Sequence, residues 1–252
     1  MLRIRDLAIR YGAEPVVEGI DIDVNVGQFV TLLGASGSGK SSILRAVVGL
    51  TPREHGSIEL DVPGRQVGFL FQDDALLPWR TARQNVMLGL SIRGATRDEA
   101  HARADRWLST LGVARLGDRY PQQLSGGQRK RVALAQVLAL QPTLLLMDEP
   151  FASLDAIVRM RITEELVGWV ERERLTVLLV THDLEEAIAL SDVVYVLSSG
   201  PRARVHRRRV VDIERPRHVL AVRRDPVFGE LVEELWRDLG GAQTHEPQET
   251  AR

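Results

Sequence analysis

The chain has 252 residues, 44% of them hydrophobic and 27% charged, with a formal net charge of -1 and no cysteine. That length and apolar content suit one large or two small soluble domains with a substantial core; the near-neutral balance argues against a broad nucleic-acid-binding surface, and the missing thiols exclude disulfides and thiolate metal sites. No apolar run approaches the roughly 20 residues that cross a bilayer, so the expectation is a cytoplasmic protein that borrows another chain's helices if it works at a membrane.

Residues 2–10 (LRIRDLAIR) and 20–26 (IDIDVNV) alternate apolar with polar, which predicts two strands with one wet face. Tyr11-Gly12 and Glu14-Pro15 supply turn chemistry between them. The opening stretch lacks the long apolar core of a signal peptide. Gln28–Leu33 (QFVTLL) is a short apolar run that reads as a buried strand, and Ser41–Leu50 (SSILRAVVGL) has apolar residues at helical spacing. Between them lies GASGSGKS, residues 34–41, which fits the phosphate-binding pattern G-x-x-x-x-G-K-[ST] in the strand–loop–helix context that pattern needs.

Gly34, Gly37 and Gly39, with Ser36 among them, let the backbone curl so that successive N–H groups face phosphate oxygens. The helix behind presents its electropositive end to the same anion. Lys40 reaches toward β- and γ-phosphates, the Ser41 hydroxyl toward Mg²⁺, and Ser42 toward the α-phosphate. The blander reading is a glycine-rich turn with a surface lysine. It loses weight because the chain has only two lysines, Lys40 and Lys130, among 33 basic residues.

Further along, Gly56–Leu60 and Gln66–Phe71 predict two more strands, separated by Pro63-Gly64. From about 76 to 140 the character is helical without strands, as expected of a helical insertion into an α/β body. Apolar runs at Thr143–Met147, Thr176–Val180 and Val193–Leu197 then alternate with helices at Arg159–Arg172 and Leu184–Leu190, the pattern of a parallel sheet covered on both faces. The basic run Arg202–Arg209 reads as a solvated edge hairpin in preference to a nucleic-acid or lipid patch. Phe228, Leu231, Val232, Leu235, Trp236 and Leu239 predict an amphipathic helix over 226–239, and residues 241–252 form a polar tail expected to be disordered.

Two further constellations carry chemistry. LLLMDE (144–149) places Asp148 and Glu149 at the carboxyl end of a buried strand, 108 residues after Lys40, where ligands of open α/β sheets gather. Asp148 would hold Mg²⁺ through water, and Glu149 would orient water for in-line attack on a γ-phosphate. LSGGQ (124–128) directly precedes an apolar-periodic helix. Ser125 and Gln128 also fit a capping box, yet Gly126 and Gly127 in a first helical turn are costly unless something must approach closely.

In this order and spacing the motifs resemble the ATP-binding subunit of an ABC transporter over residues 2–200. The fold implied is an α/β P-loop NTPase with a mostly parallel central sheet, an N-terminal antiparallel β-subdomain and the helical insertion. By resemblance, two subunits pair head to tail and sandwich two ATPs with Mg²⁺. Ser125, Gly126 and Gly127 of one would complete the site formed by Lys40 of the other. Gln72 resembles the loop glutamine that contacts Mg²⁺ and the attacking water, and Asp155, in Ser153-Leu-Asp155, the segment that crosses between subunits. His182 resembles the switch histidine at the γ-phosphate and Tyr11 the aromatic that stacks on adenine. The departures are Ser42, where threonine is usual, and Gln136, where arginine often follows the signature.

QDDALLPW (72–79), Asn85-Val86, MDEPFASLDAIVR (147–159) and Glu214-Arg-Pro-Arg217 resemble the nitrate/sulfonate/taurine importer group. The resemblance implies a homodimer on the inner face of the cell membrane, two permease subunits docking near Gln72–Trp79, and a solute-binding protein acting indirectly, with no nucleic acid. Leu76, Leu77, Pro78 and Trp79 suit such a socket, or else lie buried in the helical block. The alternatives are an exporter subunit, since the cassette is shared, and a soluble ABC ATPase, against which only 85 positions separate Lys40 from Ser125. A phosphate-loop kinase would not need LSGGQ.

Overall fold

The computed structural model describes residues 1–63, 66–152 and 154–243, and these fall in two units: 1–61 with 170–243, and those between 62 and 169. The first opens with β1 (Leu2–Tyr11) and β2 (Glu14–Val24), antiparallel, with Leu2 opposite Val24 and Ile4 opposite Ile22. Alternation buries Leu2, Ile4, Ile20, Ile22 and Val24, the period-2 pattern read from the sequence; it breaks after Ile4, where the register shifts and Leu7, Ala8 and Ile9 are all buried. β2 begins earlier than predicted: Glu14-Pro15 lies in the strand, Pro15 opposite Arg10. The reason is position, since β2 is an edge of the three-stranded sheet that β1 centres and an edge strand tolerates a residue without an N–H.

β3 (Phe29–Leu33) is buried at every residue and leads through the glycine loop into α1 (Lys40–Val47). β4 (His55–Leu60) returns to pair with β1. The second unit holds β5 (Val67–Leu70), the helices α2 (Ala82–Ile92), α3 (Arg97–Thr110) and α4 (Gly126–Leu138), and β6 (Leu144–Asp148), which pairs in parallel with β5. Thr81, Thr96 and Ser125 each begin a helix with a complete capping box, satisfying N–H groups that a helix start otherwise leaves orphaned. Trp107 and Trp169 pack at 4.5 Å between ring centroids.

α5 (Ala156–Glu173) follows, then β7 (Thr176–Thr181), α6 (Leu184–Leu190), β8 (Val193–Leu197) and β9 (Val205–Val210). In the first unit β3 lies between β7 and β8, parallel to both, and β9 closes the edge antiparallel to β8. The basic run is spent structurally there. Arg209 forms paired bonds to Asp238 and an ion pair with Glu234, Arg204 holds Glu18, and Arg208 lies over the Tyr195 ring.

A short α7 (Val219–Val222) and a long α8 (Pro226–Gln243) end the described chain. α8 runs four residues past its predicted end, and its buried stripe is Phe228, Leu231, Leu235 and Ala242, with Asp238 buried among them. Trp236, expected on that stripe, is 62% exposed; it falls one position off the 3.6-residue period. Arg217 explains the late Glu214-Arg-Pro-Arg217 run: buried, it donates to the Ile213, Val211 and Ser191 carbonyls beside Asp192. Burial pushes its guanidinium pKa below the ordinary value despite that aspartate.

Candidate phosphate-binding site

In the first unit the loop between β3 and α1 is shaped for an anion. φ is +83° at Gly37 and +81° at Gly39, a region side chains avoid. A Cβ on Gly39 would stand 2.5 Å from Val17 Cγ1, and one on Gly34 2.9 Å from Ser38 Oγ. Unlike the three boxed helices above, α1 has no side-chain cap, and its first turn carries no acid. The loop wraps Lys40, whose Nζ donates to the Gly34 carbonyl at 2.9 Å and the Ala35 carbonyl at 2.8 Å. Ser36 and Gly37 are exposed, and Ser41 is half-buried on the first turn.

Two other predicted residues belong to this half. The parallel register sets Leu33 opposite Thr181, so Gly34 and His182 leave adjacent strands at the same level, with His182 exposed. Tyr11 Oη lies 3.1 Å from Ser42 Oγ and 3.4 Å from Thr51 Oγ1. These bonds, the one to Ser42 foremost, pull its phenol pKa below the ordinary value. Sequence reasoning placed Tyr11 and Ser42 separately at the nucleotide and missed the bond between them.

The second unit carries the acidic half. β5 and β6 run parallel with Leu70 opposite Met147, which brings Gln72 and the Asp148-Glu149 pair to the same strand ends. Asp148 is fully buried. Glu149 is half-buried with φ +42° just before Pro150, a left-handed backbone that costs a side-chain-bearing residue about 1–2 kcal/mol. This strain at the residue after a buried aspartate is a structural feature that sequence alone does not carry.

The signature begins α4 in the same unit. Ser125 Oγ accepts from the Gln128 N–H at 3.3 Å while Gln128 Oε1 accepts from the Ser125 N–H at 2.9 Å, so the capping box is real. It does not account for both glycines. A Cβ on Gly127 would meet Val158 Cγ1 at 2.6 Å, whereas one on Gly126 would meet nothing closer than Arg129 at 3.9 Å. Packing requires Gly127 alone. Asp155 caps α5, accepting from the Val158 N–H at 3.0 Å; its companion Ser153 lies outside the described residues.

Trp79 is 70% exposed, and Leu76 and Leu77 are half-buried, so the LLPW cluster is not interred in the helical block. Two residues to which sequence reasoning gave no structural role organise this region: Asn85, fully buried against the 77–81 turn, and Lys130, buried beneath the Gln72 loop. The scarcity of lysine was the signal available for the second.

An uncapped glycine loop between a buried parallel strand and a helix, in an α/β fold, defines a phosphate-loop nucleotide-binding protein. More narrowly, the chain belongs to the ABC transporter family, whose model matches residues 17–152. It is similar to the aliphatic sulfonates import ATP-binding protein SsuB 2 of Rhizobium johnstonii, at 43% identity over 95% of this chain and 91% of that one. It is also similar to the nitrate import ATP-binding protein NrtD of Synechocystis, at 37% identity over 95% and 94%. Among solved structures, the dimeric bacterial ABC transporter cassette MJ0796 aligns with a TM-score of 0.76 at 29% identity, covering 85% of this chain and all of that one. The same cassette as a post-hydrolysis dimer bound to ADP and Pi aligns at 0.75 with 30% identity. The family and the neighbours agree with the fold class that the sequence implied.

Proposed function

We propose that this chain binds and hydrolyses ATP as the motor subunit of an ABC importer for a small anion of the nitrate, sulfonate or taurine class. The observation that carries the reading is the match, over nearly the full length of both chains, to import ATP-binding proteins, joined to the uncapped loop that wraps Lys40.

In this reading the loop N–H groups from Gly34 to Gly39, with Ser36, cradle the phosphates, and Lys40 exchanges loop carbonyls for β- and γ-oxygens. Ser42 meets the α-phosphate and Tyr11 the adenine. Glu149 orients the attacking water, with Gln72 beside it, while His182 steadies the γ-phosphate. Mg²⁺, when bound, would neutralise charge on the phosphates. Its holders would be Ser41, Gln72 and Asp148, hard oxygen donors of the kind this ion takes. Among the described residues no three acidic or histidine side chains gather into a cage, which suits an ion held mainly by phosphate and water.

Two copies pair head to tail, and Ser125, Gly126, Gly127 and Gln128 of one approach the nucleotide of the other, with Asp155 near the crossing. Gly126 supports this, because no contact among the described residues requires a glycine there. No helix among the described residues is long and apolar enough to cross a membrane. Two permease subunits would therefore supply the passage, docking near Gln72–Trp79 from a cytoplasmic, peripheral motor, with the solute-binding protein on the far side.

The test is co-expression with the permease subunits, followed by nucleotide titration. The complex should co-purify and hydrolyse Mg-ATP, and Lys40→Ala should lose most ATP affinity. Unchanged affinity in that variant, or stoichiometric phosphoryl transfer to a small acceptor, would overturn the reading.

A further inference from the structure

Lys130 stands in the second turn of α4, five residues beyond Ser125, with its side chain only 1% exposed. Its Nζ lies 2.6 Å from Asp74 Oδ1 and donates to the Gln72 carbonyl at 3.2 Å. Arg129 adds a longer contact, 3.7 Å from Nε to Asp74 Oδ2. Asp74 and Ala75 both hold left-handed backbone, φ +44° and +52°. Two successive side-chain-bearing residues in that region do not persist unless their surroundings impose it.

A buried ion pair is a poor way to gain stability, because desolvating two charges offsets most of their attraction. Its better-attested use is to fix one arrangement among several. Here the arrangement joins two functional segments. The ammonium reaches across from the helix that begins at the signature and holds the main chain of Gln72 itself. Its compact charge sits against the carboxylate while it donates to the carbonyl. In a chain whose one other lysine is Lys40 and whose remaining permanent positive charge is on arginine, a lysine at this point is a specific choice.

We propose that Lys130 and Asp74 are positioning residues for ATP hydrolysis: they clamp the Gln72 loop to the signature helix so that the two move as one body. This rests on the reading that Gln72 and Ser125–Gly127 serve the ATPase cycle. The clamp touches neither nucleotide nor metal. Its loss therefore misplaces Gln72 during turnover and leaves ground-state nucleotide binding intact, which is a kcat effect without a KM effect.

The experiment uses the full chain and steady-state Mg-ATP hydrolysis on four proteins: wild type, Asp74→Asn, Lys130→Met and the double variant Asp74→Asn/Lys130→Gln. Asp74→Asn, a near-isosteric change, guards against a Lys130→Met that does not fold. Either single change should lower kcat about tenfold with KM for ATP within about twofold. The neutral hydrogen-bonded double variant should recover most of the loss, since it restores a donor to the Gln72 carbonyl. A kcat near wild type in Asp74→Asn would overturn the clamp. So would a rise in KM at constant kcat, or a loss that tracks the melting temperature and is not recovered in the double variant. Wild-type protein that fails to hydrolyse ATP would instead sink the site reading beneath it, which the same series distinguishes.

Discussion

The carboxamide of Asn85 grips Leu77 from both sides of its backbone: Oδ1 accepts from the Leu77 N–H at 2.7 Å, and Nδ2 donates to the Leu77 carbonyl at 3.2 Å. The same Nδ2 donates to the Arg80 and Thr81 carbonyls at 3.1 and 3.0 Å. One buried side chain thus folds the LLPWR turn from which Trp79 projects. Asn85→Leu leaves several of these backbone groups without a partner, at about 1–3 kcal/mol for each that stays buried. We expect a lower melting temperature and faster protease cleavage within residues 76–80. An unchanged melt and cleavage pattern would show that the turn holds without its hub.

Gly126 and Gly127 should separate by substitution. Gly127→Ala drives a methyl group into Val158 and should cost about 1–3 kcal/mol of stability. Gly126→Ala makes only an ordinary contact with the end of the Arg129 side chain at 3.9 Å and should leave folding unchanged or improve it by up to about 1 kcal/mol, yet depress ATP hydrolysis. Paired thermal melts and turnover assays decide this; full turnover in Gly126→Ala would leave that glycine without a reason.

Glu149→Gln should retain ATP binding, lower hydrolysis by at least about 100-fold, and accumulate as a closed dimer on gel filtration. Glu149→Gly, equally inactive, should melt at or above the wild-type temperature because it relaxes the left-handed backbone. Wild-type turnover in either variant would remove Glu149 from the reaction.

Tyr11 offers a ring and a hydroxyl with separable duties. Tyr11→Ala should weaken ATP binding about tenfold through lost stacking, within the ~1–3 kcal/mol such contacts carry. Tyr11→Phe releases Ser42 Oγ and should cost no more than about 1 kcal/mol. Fluorescent-nucleotide titration reads both, and a Phe variant as weak as the Ala variant would assign the affinity to the hydroxyl.

Local pattern made much of the fold legible. The alternation in β1 has a period of two, the buried runs of β3, β6 and β7 are continuous, and the phosphate loop is written in contiguous residues. What escaped the sequence was settled by distant neighbours. Pro15 reads as a turn until the sheet makes β2 an edge. Trp236 reads as core until the turn of α8 sets Leu235 and Asp238 inward and leaves it exposed. The tie between Lys130 and Asp74 joins two segments whose separate motifs give no hint that they touch. Gly126 and Gly127 look alike in sequence, and only the position of Val158 tells them apart.

Lys40 and Lys130 are the only side-chain amines in the chain, and both are buried. Every other permanently cationic side chain bears a guanidinium, which acetylating enzymes, ubiquitin ligases and succinimidyl esters pass over. The surface therefore offers such reagents no lysine decoys, and the native fold shields the two targets that exist. Lysine acylation of this molecule, where it occurs, reports that the nucleotide cradle or the seat of the signature helix has opened.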